Sequence, residues 1–211
     1  YHLAEEGCDV VLLERDQLTS GTTWHAAGLL TNFGSGSETL LDIRKHARNL
    51  YDRLEHETGQ QTGFVGSGFI ELAADEDRVE EYRRIAAFNR LHGNDIHELS
   101  AAEIKDLFPL ADVDDIKAGF YAEHDGRINP VDVTMAMAKG ARMKGAKLIE
   151  KTPIRKVLTT NGAVSGVRTD RGDIRCEFVV NCAGMWARQL GEQNGVVIPN
   201  QAAEHYYLIT E

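Results

Sequence analysis

Leu18-Thr-Ser-Gly-Thr-Thr-Trp-His-Ala-Ala-Gly-Leu29 follows closely on Asp9-Val-Val-Leu-Leu-Glu14, and together these stretches decide the fold. A continuous apolar run ending in an acid predicts a strand of a parallel sheet, covered on both faces. A carboxylate at the carboxyl end of such a strand is placed to accept the hydroxyls of a ribose. The loop beyond it is built from Gly21, Thr22, Thr23, Ala26, Ala27 and Gly28, small residues that let backbone approach a bound group closely. Trp24 and His25 supply its aromatic ring and its imidazole.

Upstream, Tyr1-His-Leu-Ala-Glu-Glu-Gly7 reads as the end of a helix stopped by glycine. Helix then strand is the second half of a βαβ unit. In the dinucleotide-binding fingerprint the ribose-binding acid lies about 20 residues beyond the Gly-x-Gly-x-x-Gly turn. Counting back from Glu14 puts that turn ahead of Tyr1, so the chain reads as a fragment without the first strand and phosphate loop.

Downstream, the apolar spacing predicts a helix from Glu38 to Glu57, ending at Gly59, and an amphipathic one from Glu76 to Leu91. Phe69–Ala73 and Phe120-Tyr121 read as strands. Ser100 and Glu103 form a capping box opening a short helix that Pro109 closes. His124-Asp-Gly-Arg127 is turn chemistry, and Asn129-Pro130 supplies the cap and first residue of a helix reaching about Lys144. Lys147–Glu150 and Ile154–Leu158 follow. Asn161-Gly162 and Arg171-Gly172 are hairpin signals joining Val164–Thr169 and Cys176–Val180 into a three-stranded ribbon. Val179–Gly184 is expected to be an apolar strand entering a helix, its junction aiming helix amides at an anion. His205–Thr210 reads as a last strand.

Composition excludes some classes. The formal charge of -10 over 211 residues argues against nucleic acid, whose phosphates need a basic surface. No apolar run approaches the roughly 18 residues of a membrane span. Cys8, Cys176 and Cys182 show no metal-ligand or Cys-x-x-Cys spacing, and read as three buried free thiols of a reducing compartment. No residue is a candidate metal ligand.

Taken together, Leu18–Leu29, Phe108-Pro-Leu110, His124-Asp-Gly126, Val180-Asn-Cys-Ala-Gly184 with Trp186, and His205-x-Tyr207 resemble the sarcosine and dimethylglycine dehydrogenase family of D-amino-acid-oxidase-like flavoproteins. The resemblance covers nearly the whole chain, and Thr23-Trp-His-Ala-Ala-Gly28 is its most specific part. It implies an α/β, Rossmann-like FAD-binding fold of the D-amino-acid-oxidase/glutathione-reductase type, with an inserted substrate-side antiparallel sheet layer. The expected division is 1–62 and 126–200 for FAD binding, 63–125 for the insertion, and 201–211 as the start of a further substrate-side strand.

The resemblance further implies FAD bound covalently through His25 at the flavin 8α carbon. Contacts are implied at Glu14 and Arg15, across Gly21 to Leu29, at Ile154, and around Ala183, Gly184 and Trp186. His205 falls where relatives place a histidine facing the amine substrate. Oxidation of an N-methyl amine of the sarcosine or dimethylglycine kind is implied, its carbon leaving as formaldehyde or to tetrahydrofolate in a region beyond this chain. Of oxygen and electron-transfer flavoprotein as electron acceptors, the resemblance favours the latter. Location would be cytoplasmic in a bacterium and the mitochondrial matrix in a eukaryote. Two alternatives share the architecture. One is a non-catalytic regulatory subunit, similar to that of pyruvate dehydrogenase phosphatase; the other is an amine or hydroxy-acid oxidase with non-covalent FAD.

Overall fold

Four helix starts are fixed by side chains that accept otherwise unpaired backbone N–H groups. A computed structural model describes residues 1–34, 36–206 and 208. Its elements in chain order are α1 (His2–Glu5), β1 (Val11–Leu13), β2 (Leu29–Leu30), α2 (Glu38–Thr58), β3 (Phe69–Ala73), α3 (Glu76–Leu91), β4 (His97–Leu99), α4 (Ala101–Leu107), β5 (Ala118–Ala122), β6 (Gly126–Arg127), α5 (Pro130–Met143), β7 (Lys147–Ile149), β8 (Ile154–Thr160), β9 (Ala163–Thr169), β10 (Gly172–Arg175) and α6 (Ala187–Glu192). Ser37, Asp75, Ser100 and Asn129 cap α2, α3, α4 and α5, and the Ser100–Glu103 capping box is complete. Each such cap stabilises its helix by about 0.5–2 kcal/mol. Gly59, at φ +64°, ends α2 in the left-handed conformation.

The chain forms two compact units: Tyr1–Cys8 with Thr23–Gly145, and Asp9–Thr22 with Ala146–Glu211. In the first, α2 packs on α5 through Leu50, Leu54 and Ala136. An antiparallel sheet of order β3-β5-β4 carries the other core, with Phe120, Ala118 and Ala122 packed among Phe33, Val79, Ala86 and Ile96. Strand β4 has no signal in the sequence. It is three residues long, too short to display alternation, and Glu98 at its centre is held by Arg83 of α3 at 2.6 Å. Strand β2 pairs antiparallel with β6, Leu29 opposite Arg127 and Leu30 opposite Gly126.

In the second unit β1 runs parallel to β7, with Val11 opposite Lys147 and Leu13 opposite Ile149. Strands β8, β9 and β10 form an antiparallel meander.

Several expectations are corrected here. Strand β1 is not covered on both faces: Val11 and Leu12, which point to opposite faces, are 37 % and 41 % exposed. The third ribbon strand is β10, not Cys176–Val180. The two-residue turn at Asp170-Arg171 brings Gly172 opposite Thr169 at once, so pairing ends by Arg175. Residues 179–183 form no strand, since no ladder partner runs beside them among the described residues, and Val180 is 65 % exposed. The cysteines are not buried: Cys8 and Cys182 are exposed and Cys176 is partly so. Their apolar sequence neighbours lie on these same uncovered stretches. His205 and Tyr206 have no regular structure, and Tyr207, Ile209 and Thr210 of the expected last strand lie outside the described residues.

Candidate cofactor site

In the second unit the site residues gather at the carboxyl ends of β1 and β7, the edge at which open α/β sheets bind ligands. Pairing continues one residue beyond β1: the Glu14 N–H donates to the Ile149 carbonyl at 3.0 Å, and the Thr152 N–H donates to the Glu14 carbonyl at 2.8 Å. The half-buried Glu14 carboxylate accepts the Asp16 N–H at 2.9 Å through Oε1. Glu150 accepts the Leu18 N–H at 2.7 Å, and the Lys151 N–H donates to the Asp16 carbonyl at 2.6 Å. The loops after β1 and β7 are thereby tied to each other. Thr19 and Lys151 take positive φ, 74° and 51°, to make this crossing.

The Arg15 guanidinium lies over the Trp186 ring at 3.7 Å, so these two expected contact residues are brought together. Ile154 opens β8 and is half-buried. Ala183 is half-buried and Gly184 exposed with φ +54°; a Cβ built on Gly184 or on Gly21 would meet no atom within 4 Å. Thr22 is exposed, as is His205. The junction after Ala183 is not the expected strand entering a helix. It is a 3-10 turn, Gly184–Trp186, leading into the six-residue α6. Asn181 spans it, accepting the Ala183 N–H at 3.2 Å and donating to the Ala187 carbonyl at 2.9 Å.

In the first unit Thr23–His25 form a 3-10 turn that packs on α5, closed by the Ala26 N–H on the Thr23 carbonyl at 3.1 Å. The Trp24 and His25 rings lie 3.7 Å apart, tilted by 35°. His25, Ala26 and Ala27 are exposed, Trp24 is 56 % exposed and Leu29 is 63 % exposed. Gly28 is different. It is buried at φ +77°, and a Cβ there would lie 2.3 Å from the Ile128 carbonyl oxygen, while the Ile128 N–H donates to the Gly28 carbonyl at 2.8 Å. This glycine is required by the approach of the protein's own backbone.

Sequence reasoning missed the residues that hold these loops. Asp125, read as turn chemistry, is 0 % exposed. Its carboxylate accepts the Asn32 N–H at 2.8 Å, the Asn32 Nδ2 at 2.6 Å and the Phe33 N–H at 3.4 Å. Burial raises its pKa above the ordinary aspartate value, opposed by these bonds and by the charge of Arg44. The Asn32 Oδ1 is buried with no hydrogen-bond partner. Flipping that amide would set oxygen against carboxylate, so its orientation is fixed. Asp125 is signalled by an acid beside a glycine and by its place in the His124-Asp-Gly126 element of the resemblance, neither of which shows what it binds; Glu150 is signalled by its place after an apolar strand.

Each unit taken by itself fits part of a flavin dinucleotide. In the second, Glu14 offers a carboxylate for ribose hydroxyls, and Gly21 and Gly184 leave their Cβ positions open. In the first, an exposed imidazole stands beside an exposed indole. Among the described residues no group of three His, Cys, Asp or Glu suits a metal ion, and no helix is long and apolar enough to cross a membrane.

Residues 1–211 match the family described as FAD dependent oxidoreductase. The chain is 41 % identical to human mitochondrial sarcosine dehydrogenase over 218 residues and 41 % identical to rat mitochondrial dimethylglycine dehydrogenase over 211 residues. All of this chain is matched in both, but it spans only 24 % of the length of either. The mitochondrial regulatory subunit of mouse pyruvate dehydrogenase phosphatase is 37 % identical, again over all of this chain and 24 % of that protein. Among solved structures, L-proline dehydrogenase from P. horikoshii superposes with a TM-score of 0.87 at 27 % identity, covering 92 % of this chain and 51 % of that one. The chain belongs to the FAD dependent oxidoreductase family.

Proposed function

We propose that this chain is part of an FAD-dependent dehydrogenase that oxidises the N-methyl group of a small secondary or tertiary amino acid, sarcosine or dimethylglycine. The observation that carries this reading is the end-to-end match at 41 % identity to a sarcosine and a dimethylglycine dehydrogenase. The exposed His25 beside Trp24 supports it. Bound FAD supplies hydride acceptance from the N-methyl carbon, leaving demethylated amine with formaldehyde or, through tetrahydrofolate, its one-carbon adduct.

The chain's own residues have separate tasks in this reading. Glu14 accepts ribose hydroxyls, and Arg15, fixed over Trp186, flanks the dinucleotide with Ile154, Ala183 and Gly184. The turn from Gly21 to Leu29 lies against the cofactor, and His25 holds it covalently so that it is not lost. His205 takes the ammonium proton, leaving the amine lone pair available for oxidation. Residues 1–62 and 126–200 serve FAD, 63–125 the substrate side, and 201–211 begin a further substrate-side strand. Electrons leave to an electron-transfer flavoprotein. The named mitochondrial relatives support a matrix location in a eukaryote; a bacterial protein would be cytoplasmic.

The test is turnover of the full-length protein with sarcosine and dimethylglycine, with flavin bleaching followed anaerobically. Bleaching by either amine is expected; a flavin that neither reduces would remove the substrate assignment. For His205→Asn the account expects a changed pH–rate profile, and an unchanged one would remove its role. A second reading, the regulatory subunit, is favoured by the 37 % match to such a protein. It expects no flavin at all.

A further inference from the structure

We propose that Asp125 is a positioning residue for flavin attachment, fixing through Asn32 and Phe33 the segment that carries His25. The inference rests on His25 as the tether. Asp125 stands at the turn between β5 and β6, and α2 begins after the loop it holds. Its carboxylate accepts three N–H groups from Asn32 and Phe33, at 2.8, 2.6 and 3.4 Å. Arg44 closes the same loop, its Nη1 donating to the Phe33 carbonyl at 3.0 Å.

Between this clamp and His25 run the two pairs of the β2–β6 ladder and the Gly28–Ile128 bond, and the turn itself packs on α5. A ladder of two pairs cannot hold its own register in water. The Val65–Arg127 bridge holds β6 from its other side, and the buried carboxylate fixes the end of β2, from which the chain leads back to the His25 turn. Asparagine at this position has one acceptor oxygen instead of two and presents an N–H₂ to N–H donors. The clamp is specific to a carboxylate.

Attachment replaces an 8α C–H and an imidazole N–H by one C–N bond. Two protons are released, and two electrons pass to the flavin and on to dioxygen. Such a step needs reacting atoms held to about 3–3.5 Å, and a 1 Å misplacement costs on the order of 100-fold in rate. In this reading binding of the dinucleotide draws on Glu14, Arg15 and Trp186, whereas the Asp125 carboxylate accepts its hydrogen bonds from Asn32 and Phe33.

The test uses the full-length protein as wild type, Asp125→Asn and Asn32→Ala. Acid-stable flavin, total flavin and melting temperature are measured on each after incubation with FAD in air. The expected result is an attachment rate at least about tenfold slower in Asp125→Asn, with total FAD retained, and a smaller loss in Asn32→Ala, which keeps the two backbone bonds. Wild-type attachment rates in both variants would overturn the proposal. So would total flavin and melting temperature falling together at an unchanged acid-stable fraction, the signature of a plain scaffold. If Asp125→Asn does not fold, Asn32→Ala decides alone. Wild-type protein whose flavin is all acid-extractable would instead overturn the tether reading, and the positioning role with it.

Discussion

Phe120 in the first unit is 1 % exposed among Phe33, Val79 and Ile96, whereas Phe178 in the second is 83 % exposed. Elements of the first unit find their partners within the described chain. The second leaves apolar side chains uncovered there, Val11 and Leu12 of β1 and, outside any strand, Phe178 and Val180. The glycines repeat the contrast. Gly28 is required by the carbonyl of Ile128, while Gly21 and Gly184 have nothing near their Cβ positions. Small residues of the expected site thus answer to different demands: Gly28 to the fold, Gly21 and Gly184 to no neighbour within 4 Å of their Cβ positions.

The largest effect that sharpens this comparison is expected at Phe120→Ala. Truncating that buried ring should cost about 3–5 kcal/mol in chemical denaturation. A loss below about 1 kcal/mol would deny that the β3-β5-β4 core closes on itself. Next comes Gly28→Ala, which forces a Cβ into the left-handed region for about 1–2 kcal/mol before the contact with Ile128 is counted. Gly21→Ala is the control, and its melting temperature should match wild type. Equal effects at the two glycines would break the distinction drawn between them.

The first unit was legible from sequence because its boundaries are set locally. Ser37, Asp75, Ser100 and Asn129 cap helices within a few residues, and Gly59 ends one, so both ends of α2 and α3 and the N-terminus of α5 could be read from short strings. The second unit was less legible because strands are defined by partners distant in sequence. An apolar run such as Val179-Val180 announces burial, yet becomes a strand only beside another. The same reason explains why Cys8 and Cys182 are exposed. For the candidate site, Glu14 follows from its place at a strand end and Arg15 and Trp186 from the family resemblance, but the bonds of Glu150 and Asp125 were not readable. Each bridges about a hundred residues or more, from Glu150 to Leu18 and from Asp125 to Asn32, a closeness that only the folded chain contains.

A smaller effect belongs to Arg15, whose contact with Trp186 is largely exposed. Arg15→Ala in a His25→Ala background should weaken FAD binding by roughly 2–5-fold, matching about 0.5–1 kcal/mol for an exposed cation–π contact. Titration calorimetry reads this directly, and unaltered affinity would remove Arg15 from the site. The smallest effect concerns the β8-β9-β10 meander, where Arg155 holds Asp170 at 2.8 Å and Arg168 holds Asp173 at 2.9 Å. These pairs lower the pKa of both aspartates below the ordinary 3.8. Their stabilisation is therefore complete above that value and lost as pH falls through the lowered folded value. Thermal melts should show a slight acid-side loss that 1 M salt removes, and a salt-independent loss would assign it elsewhere.

The central claim is that His25 carries the flavin, and peptide mapping of the acid-denatured full-length protein tests it most directly. The account predicts one FAD mass on the peptide containing Thr23-Trp24-His25, absent in His25→Ala. Flavin attached to any other peptide, or none surviving acid in the wild type, would contradict it.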